Sequence, residues 1–129
     1  MKKLDKNSVI GISALLVHAA NIDEIYSDHE KDLIKNFIKS YLEDTETDEI
    51  LKKAEEIENN SNQLLNYTNI IKNKSLEIKK DIIEHLWKVI ISDNTVDQYE
   101  SNLMRRICGL IYFPDKESAE IKLNLIQKK

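Results

Sequence analysis

Five acidic side chains stand out along this sequence: Asp23 and Glu30 early, matched by Asp93 and Glu100 late, with Asp97 where the early copy has Ser27. Ser27-x-x-Glu30 and Asp97-x-x-Glu100 each have the form of a capping box or its Asp variant. In that arrangement the first side chain accepts from the exposed N–H groups of a new helix, and the Glu reaches back to the cap. Each such cap stabilises a helix by about 1 kcal/mol. Asp23 and Asp93 follow apolar stretches, where a short carboxylate bonds nearby backbone in a turn. Neither copy is an EF-hand. Counting from Asp93, the sixth position is Gln98 where that loop needs Gly, and the twelfth is Met104 where it needs Glu; from Asp23 they are Asp28 and Ile34.

The other reactive residue types point to packing. His18, His29 and His85 lack the i, i+4 spacing of a helical metal pair. His18 and His85 fall on or beside apolar helix faces, and His29 lies in the first turn of a helix. Cys108 is the only cysteine, so no intramolecular disulfide can form, and its place beside Ile107 on a core stripe predicts a buried thiol. Trp87 sits among apolar neighbours as a core anchor. The acidic run at 43–49 supplies the negative start of a helix, which the helix dipole favours; the sharper reading is a docking site for a basic partner. Lys72, Lys74, Lys79 and Lys80 are too few and too interleaved with acids to indicate RNA. No Gly-rich phosphate loop, nucleophile elbow or Cys-x-x-Cys is present.

The elements that carry these residues are helical almost throughout. Apolar positions recur at helical spacing in seven stretches. The first covers about residues 8–20 (Val9, Ile12, Leu16, Ala19, Ala20) and reads as amphipathic. The second starts near Asp28 (Leu33, Ile34, Phe37, Ile38, Tyr41, Leu42), and a third follows the acidic run (Ile50, Leu51, Ala54, Ile57). After the break at 59–62 comes a short fourth (Leu64, Leu65, Tyr67, Ile70, Ile71). Ser75 caps a fifth (Ile82, Ile83, Leu86, Trp87, Val89, Ile90). A sixth starts near Gln98 (Leu103, Met104, Ile107, Leu110, Ile111) and ends before Pro114-Asp115. The seventh covers about 116–127, with Ala119, Leu123 and Ile126 facing inward.

Composition agrees. A chain of 129 residues with 41% apolar residues can build one core, and 33% charged residues of interspersed sign do not indicate disorder. Two Gly and one Pro suit a bundle with short links better than a β-rich domain. The net charge of −4 lacks the basic excess of a nucleic-acid binder. Abundant Lys, Asn and Ile read as the product of an AT-rich genome. Met1-Lys2-Lys3 before the apolar 9–17 segment mimics a short signal peptide, but that segment belongs to an internal repeat and is read as a helix. No apolar run approaches the roughly 20 residues that span a bilayer.

The repeat emerges when the chain is shifted by 70 positions, which takes Asp23 to Asp93 and Glu30 to Glu100 without gaps. Leu16 then meets Leu86, Val17 meets Trp87, Ala20 meets Ile90, Leu33 meets Leu103, Ile34 meets Met104 and Phe37 meets Ile107. Each half is an apolar helix, a tight turn and a capped second helix. A hairpin of two helices cannot bury its apolar face alone. Two hairpins facing each other can, with the middle helices filling the side.

On these residues the chain resembles the TerB-like, tellurite-resistance-associated family, in which an apolar helix is followed twice by a turn of the form Ala-Asp-Gly-x-(Val/Ile)-(Ser/Asp)-x-x-Glu. The second half matches well, from Leu86 through Asp93-Asn94-Thr95-Val96-Asp97-Gln98-Tyr99-Glu100 to Ile107; the first, Asp23 to Glu30, is looser. Glu24 and Asn94 replace the family's turn Gly, and of the two Asn better tolerates a left-handed backbone. The resemblance covers about residues 10–126. It implies an all-α fold: one compact bundle of about seven helices in two pseudo-repeated helix–turn–helix halves, forming a single domain over 1–129. It also implies a non-enzymatic interaction or stress-response domain, linked to tellurite resistance, cytoplasmic, with a protein partner and no nucleic acid. Members of the family occur as accessory domains of co-chaperones and membrane-linked stress systems. The alternative that the resemblance implies is a regulator that binds a divalent, calcium-like cation through acidic turns. Its ligands would be Asp23, Glu30, Asp93, Asp97 and Glu100.

Overall fold

The computed structural model describes residues 4–21, 28–42, 46–60, 64–91 and 98–127. Among them are seven helices: α1 (Lys6–Ala20), α2 (Asp28–Lys39), α3 (Thr47–Asn60), α4 (Leu64–Ile71), α5 (Leu76–Ile91), α6 (Gln98–Leu110) and α7 (Asp115–Gln127). No strand occurs among the described residues. The all-α expectation holds, and each helix appears where apolar spacing placed it.

α1 begins where the Asp5 carboxylate accepts from the Ser8 N–H at 3.3 Å, an N-cap that satisfies one orphan donor. From Ser8 to Ala20 every residue except His18 is buried. The expected amphipathic helix is instead the axis of the fold, enclosed by α2, α3, α4 and α5. Its most extensive pairing is with α3. Lys6 meets Glu46 at 3.0 Å just before α3 begins, and His18 meets Glu58 at 2.9 Å towards the other end of both helices, so α1 and α3 run parallel. α4 packs against α1 at Gly11, where Cδ1 of Ile70 occupies the space that a Cβ would take. The middle helices therefore take part in the central packing and do not merely fill one side.

α5 forms the second apolar wall. The Ser75 hydroxyl accepts from the Ile78 N–H at 3.3 Å, which is the cap expected there. Ile82, Ile83 and Leu86 are fully buried, and the helix packs on α1, α2 and α7. Of the positions aligned by the 70-residue shift, Leu16 and Leu86, Val17 and Trp87, Ala20 and Ile90, Ile34 and Met104, and Phe37 and Ile107 are buried in both halves, while Leu33 is half-buried where Leu103 is buried. The second helices of the two halves open at Asp28 and Gln98, one period apart.

α6 ends in a left-handed residue that is not glycine. Tyr112 has φ 61°, and the Phe113 N–H reaches back to the Cys108 carbonyl at 2.8 Å, the long bond of a Schellman cap. Pro114 follows and prevents continuation.

The seventh helix corrects an expectation. Ala119, Leu123 and Ile126 do not face inward; Ala119 is exposed, and Leu123 and Ile126 are 54% and 42% exposed. Ser118 and Ile121 are buried and Leu125 is partly so. The cause is a single polar contact: the buried Trp87 indole N–H donates to Ser118 Oγ at 2.9 Å. A buried indole N–H needs a partner, and meeting that need turns α7 by about one residue. Ile57, placed on the core stripe of α3, is also half exposed at 38%.

Ile121→Ala should destabilise the protein by about 2–4 kcal/mol. Leu123→Ala should cost less than about 1 kcal/mol, because that side chain is already in water. Urea denaturation of both variants checks the register of α7; the opposite ranking would place Leu123 in the core.

Candidate functional site

The acidic positions at the two turns are the first candidates. Asp23, Asp93 and Asp97 lie outside the described residues, as does Ser27. Glu30 lies in the first turn of α2 and is buried at 6% exposure, on the stripe that continues through Ile34 and Phe37. Glu100 falls in the first turn of α6. The two glutamates thus occupy the first-turn places that a capping box requires. Among the described residues no cluster of three or more His, Cys, Asp or Glu side chains converges as metal ligands.

Two other carboxylates, buried Glu58 and partly buried Asp81, link helices. Glu58 of α3 is buried, and its two oxygens serve different helices. Oε1 accepts from the Tyr67 hydroxyl of α4 at 2.8 Å, and Oε2 lies 2.9 Å from Nδ1 of His18 on α1. One side chain therefore ties α1, α3 and α4 together. The tyrosine hydroxyl donates to the acid and not to the histidine, so the three do not line up as a nucleophile, base and orienting acid. The second cluster joins α2 to α5. The Tyr41 hydroxyl donates to Asp81 Oδ2 at 2.6 Å, while His85 Nδ1–H donates to the Asp81 carbonyl at 2.9 Å. The His85 ring meets the edge of Phe37 at 5.1 Å, and Phe37 in turn packs on Tyr41 at 5.2 Å.

Burial raises the phenol pKa of both tyrosines above its ordinary value, and the hydrogen bond to a carboxylate raises it further. For Tyr67 the carboxylate is Glu58, and for Tyr41 it is Asp81, with Glu77 adding to the effect. Burial likewise pushes the Cys108 thiol up, against a smaller opposite effect from Ser118. A raised thiol pKa means little thiolate, the form that reacts. Cys108 is 1% exposed, as its place on the core stripe of α6 predicts.

Sequence reading expected His18 and His85 beside apolar faces, which they are, but it missed both carboxylates. A signal was present: Ile50, Leu51, Ala54 and Glu58 form one stripe, so an acid continues an apolar face at helical spacing. Asp81 stands four residues before His85, the spacing at which helix side chains meet.

Depressions open on the surface between the described helices. One, of about 560 Å³, lies between α1, α3 and α4, with Gly11, Ile57 and Ile70 on its apolar part and Asn7, Asn60 and Asn66 around it. Another, of about 440 Å³, lies between α5, α6 and α7 and holds Trp87, Met104, Arg105 and Lys122. The Lys122 ammonium sits 5.2 Å from the Trp87 ring.

With this geometry in hand, the comparison with known families is decisive. Residues 10–123 match the family model described as tellurite resistance protein TerB. The chain belongs to the TerB family. No curated protein and no solved structure matches it. The match runs from within α1 to the middle of α7, so the TerB region takes in both apolar helices, α1 and α5, and the helices between them.

The raised phenols set the sign of an alkaline effect. Above about pH 10 the unfolded chain ionises tyrosines that the fold holds neutral, so stability falls as pH rises. The variant carrying both Tyr41→Phe and Tyr67→Phe should show a shallower fall between about pH 10 and 12 than wild type. Chemical denaturation across that range checks this; identical slopes would mean that neither phenol is held neutral by the fold.

Proposed function

We propose that this TerB-family chain is a non-enzymatic interaction domain of a cytoplasmic stress response, linked to tellurite resistance and acting through a protein partner. The observation that carries the reading is the TerB match over residues 10–123. The interior chemistry supports it. Glu58 and Asp81 each have a carboxylate oxygen engaged by a tyrosine, and both serve to hold helices together. Cys108 is buried and its thiol is raised away from the reactive form. No helix among the described residues is long and apolar enough to cross a membrane.

The test uses the single thiol, since thiolates are the side chains best suited to reduce or bind an oxidised chalcogen. In cells whose tellurite tolerance depends on this chain, Cys108→Ala should give tolerance within about twofold of wild type, provided circular dichroism shows the variant folded. Loss of tolerance in a folded variant would make the chain a direct chemical participant. The reading in which acidic turns hold a divalent cation differs in its response to metal. A cation that binds only the folded state raises the melting temperature by mass action. Millimolar calcium or magnesium is expected to leave it unchanged. A rise of several degrees that Asp93→Asn abolishes would replace the present reading with cation binding.

A further inference from the structure

α7 carries two apolar stripes of almost the same composition. Ser118, Ile121 and Leu125 form the one that faces the core; the first two are buried and the third partly so. Ala119, Leu123 and Ile126 form the other, at i, i+4 and i+7, and all three are exposed. Each stripe offers one Leu, one Ile and one small residue. Apolar burial therefore gives little preference between them, since that contribution follows the area removed from water. Neither stripe carries a charge in the body of the helix. Asp115 and Lys116 flank the second one only in the first turn, Lys122 lies between the two, and Glu120 and Asn124 lie off both.

The core's grip on α7 is light. α7 buries only two of its thirteen residues, whereas α1 is buried from Ser8 to Ala20 except at His18. It packs chiefly on α5, with a smaller contact on α6. What separates the two registers is polar. In the observed one the indole N–H of Trp87, a residue 4% exposed, donates to Ser118 Oγ at 2.9 Å. Turning α7 onto its second stripe replaces Ser118 by Ala119, which has no acceptor on its side chain. The indole N–H is then buried without that partner, which is unfavourable. The Lys122 ammonium, 5.2 Å from the Trp87 ring, adds a smaller preference for the observed register.

We infer that α7 is a two-register helix. The Trp87–Ser118 hydrogen bond holds it in the observed register. A minor register buries Ala119, Leu123 and Ile126 against α5 and α6 and turns Ile121 and Leu125 into solvent. The consequence reaches the depression between α5, α6 and α7, which Ser118, Ala119 and Lys122 line together with Trp87, Met104 and Arg105. The two registers give that depression different walls. A ligand or partner with unequal affinity for the two walls shifts the helix, and one with equal affinity does not. The inference does not rest on reading the chain as an interaction domain.

The test reads the methyl groups of Ile121, Leu123, Leu125 and Ile126 by NMR in the intact chain, with a soluble gadolinium chelate as the probe of exposure. In wild type the probe should relax the Leu123 and Ile126 methyls about threefold or more faster than that of Ile121. Trp87→Phe removes the N–H that needs Ser118 and leaves the serine hydroxyl without this donor in the observed register, while the minor register returns that hydroxyl to water. In this variant the Leu123 rate should fall about twofold or more while the Ile121 rate rises by a similar factor. Ser118→Ala removes the acceptor in both registers, so it should move the same rates in the same directions by less. A rise at Ile121 without a fall at Leu123 would mean that α7 frays, and would overturn the inference. Unchanged rates in a folded variant would overturn it as well. If neither variant folds, wild type decides through relaxation dispersion, which detects exchange on the microsecond-to-millisecond scale. Dispersion should then be found at the α7 methyls and not at Ile12 or Ile82; a flat profile at α7, or equal dispersion at Ile12 and Ile82, would contradict the two registers.

Discussion

The enclosure of α1 governs the rest of the structure. A helix whose residues from Ser8 to Ala20 are all buried but one must have neighbours on every side. Helix axes pack at about 8–10 Å, so one helix cannot cover another's whole circumference. Four helices, α2 to α5, do so here. Each large apolar side chain removed from water contributes about 1.5–3 kcal/mol before entropy is counted, and α1 contributes Val9, Ile12, Leu15, Leu16 and Val17 at 0–2% exposure. The enclosure also has costs. The Ser13 hydroxyl is fully buried with no hydrogen-bond partner among the described residues, which sets roughly 1–3 kcal/mol against the fold.

The polar contacts fall into two classes of very different weight. The ion pairs Lys35–Asp48 and Lys53–Glu49 lie in solvent, with Asp48 89% exposed on its side chain; such pairs contribute about 0–1 kcal/mol. The buried carboxylate acts otherwise. Glu58 is buried and holds both Tyr67 and His18, and leaving a buried polar group without its partner costs about 1–3 kcal/mol. Glu58 therefore selects the one arrangement of α1, α3 and α4 in which all three groups meet. His18, the only residue of the 8–20 stretch that is not buried, is where the axis helix leaves the core to reach this acid.

Much of this was legible in the sequence because the signals were local. Helical spacing placed seven helices, Ser75 announced its cap, and the position of Cys108 beside Ile107 announced its burial. Most of the aligned apolar positions are buried in both halves, though Leu33 is half-buried where Leu103 is buried. What was not legible depends on partners distant in the chain. Whether α1 is amphipathic or an axis depends on how many helices surround it, and its own residues suit either case. α7 carries Ala119, Ile121, Leu123, Leu125 and Ile126, which offer two overlapping faces, and the choice is made by Trp87 some thirty residues away. Glu58 gave a local hint as an acid on an apolar stripe, but its partners lie forty residues back and nine ahead. The acidic turns were the most conspicuous feature of the sequence; Asp23, Asp93 and Asp97 fall outside the described residues, while Glu30 and Glu100 hold first-turn positions.

Native-state amide hydrogen exchange tests most directly whether α1 is the axis. Amides of the most stable elements exchange only through global unfolding, whereas peripheral elements open at lower free energy. Residues Ile12 to Val17 should show the full unfolding free energy, matching Ile82 to Leu86 of α5, while α7 beyond Ile121 exchanges earlier. Exchange of the α1 amides through an opening about 2 kcal/mol or more below global unfolding, with α5 still protected, would contradict the central place given to α1.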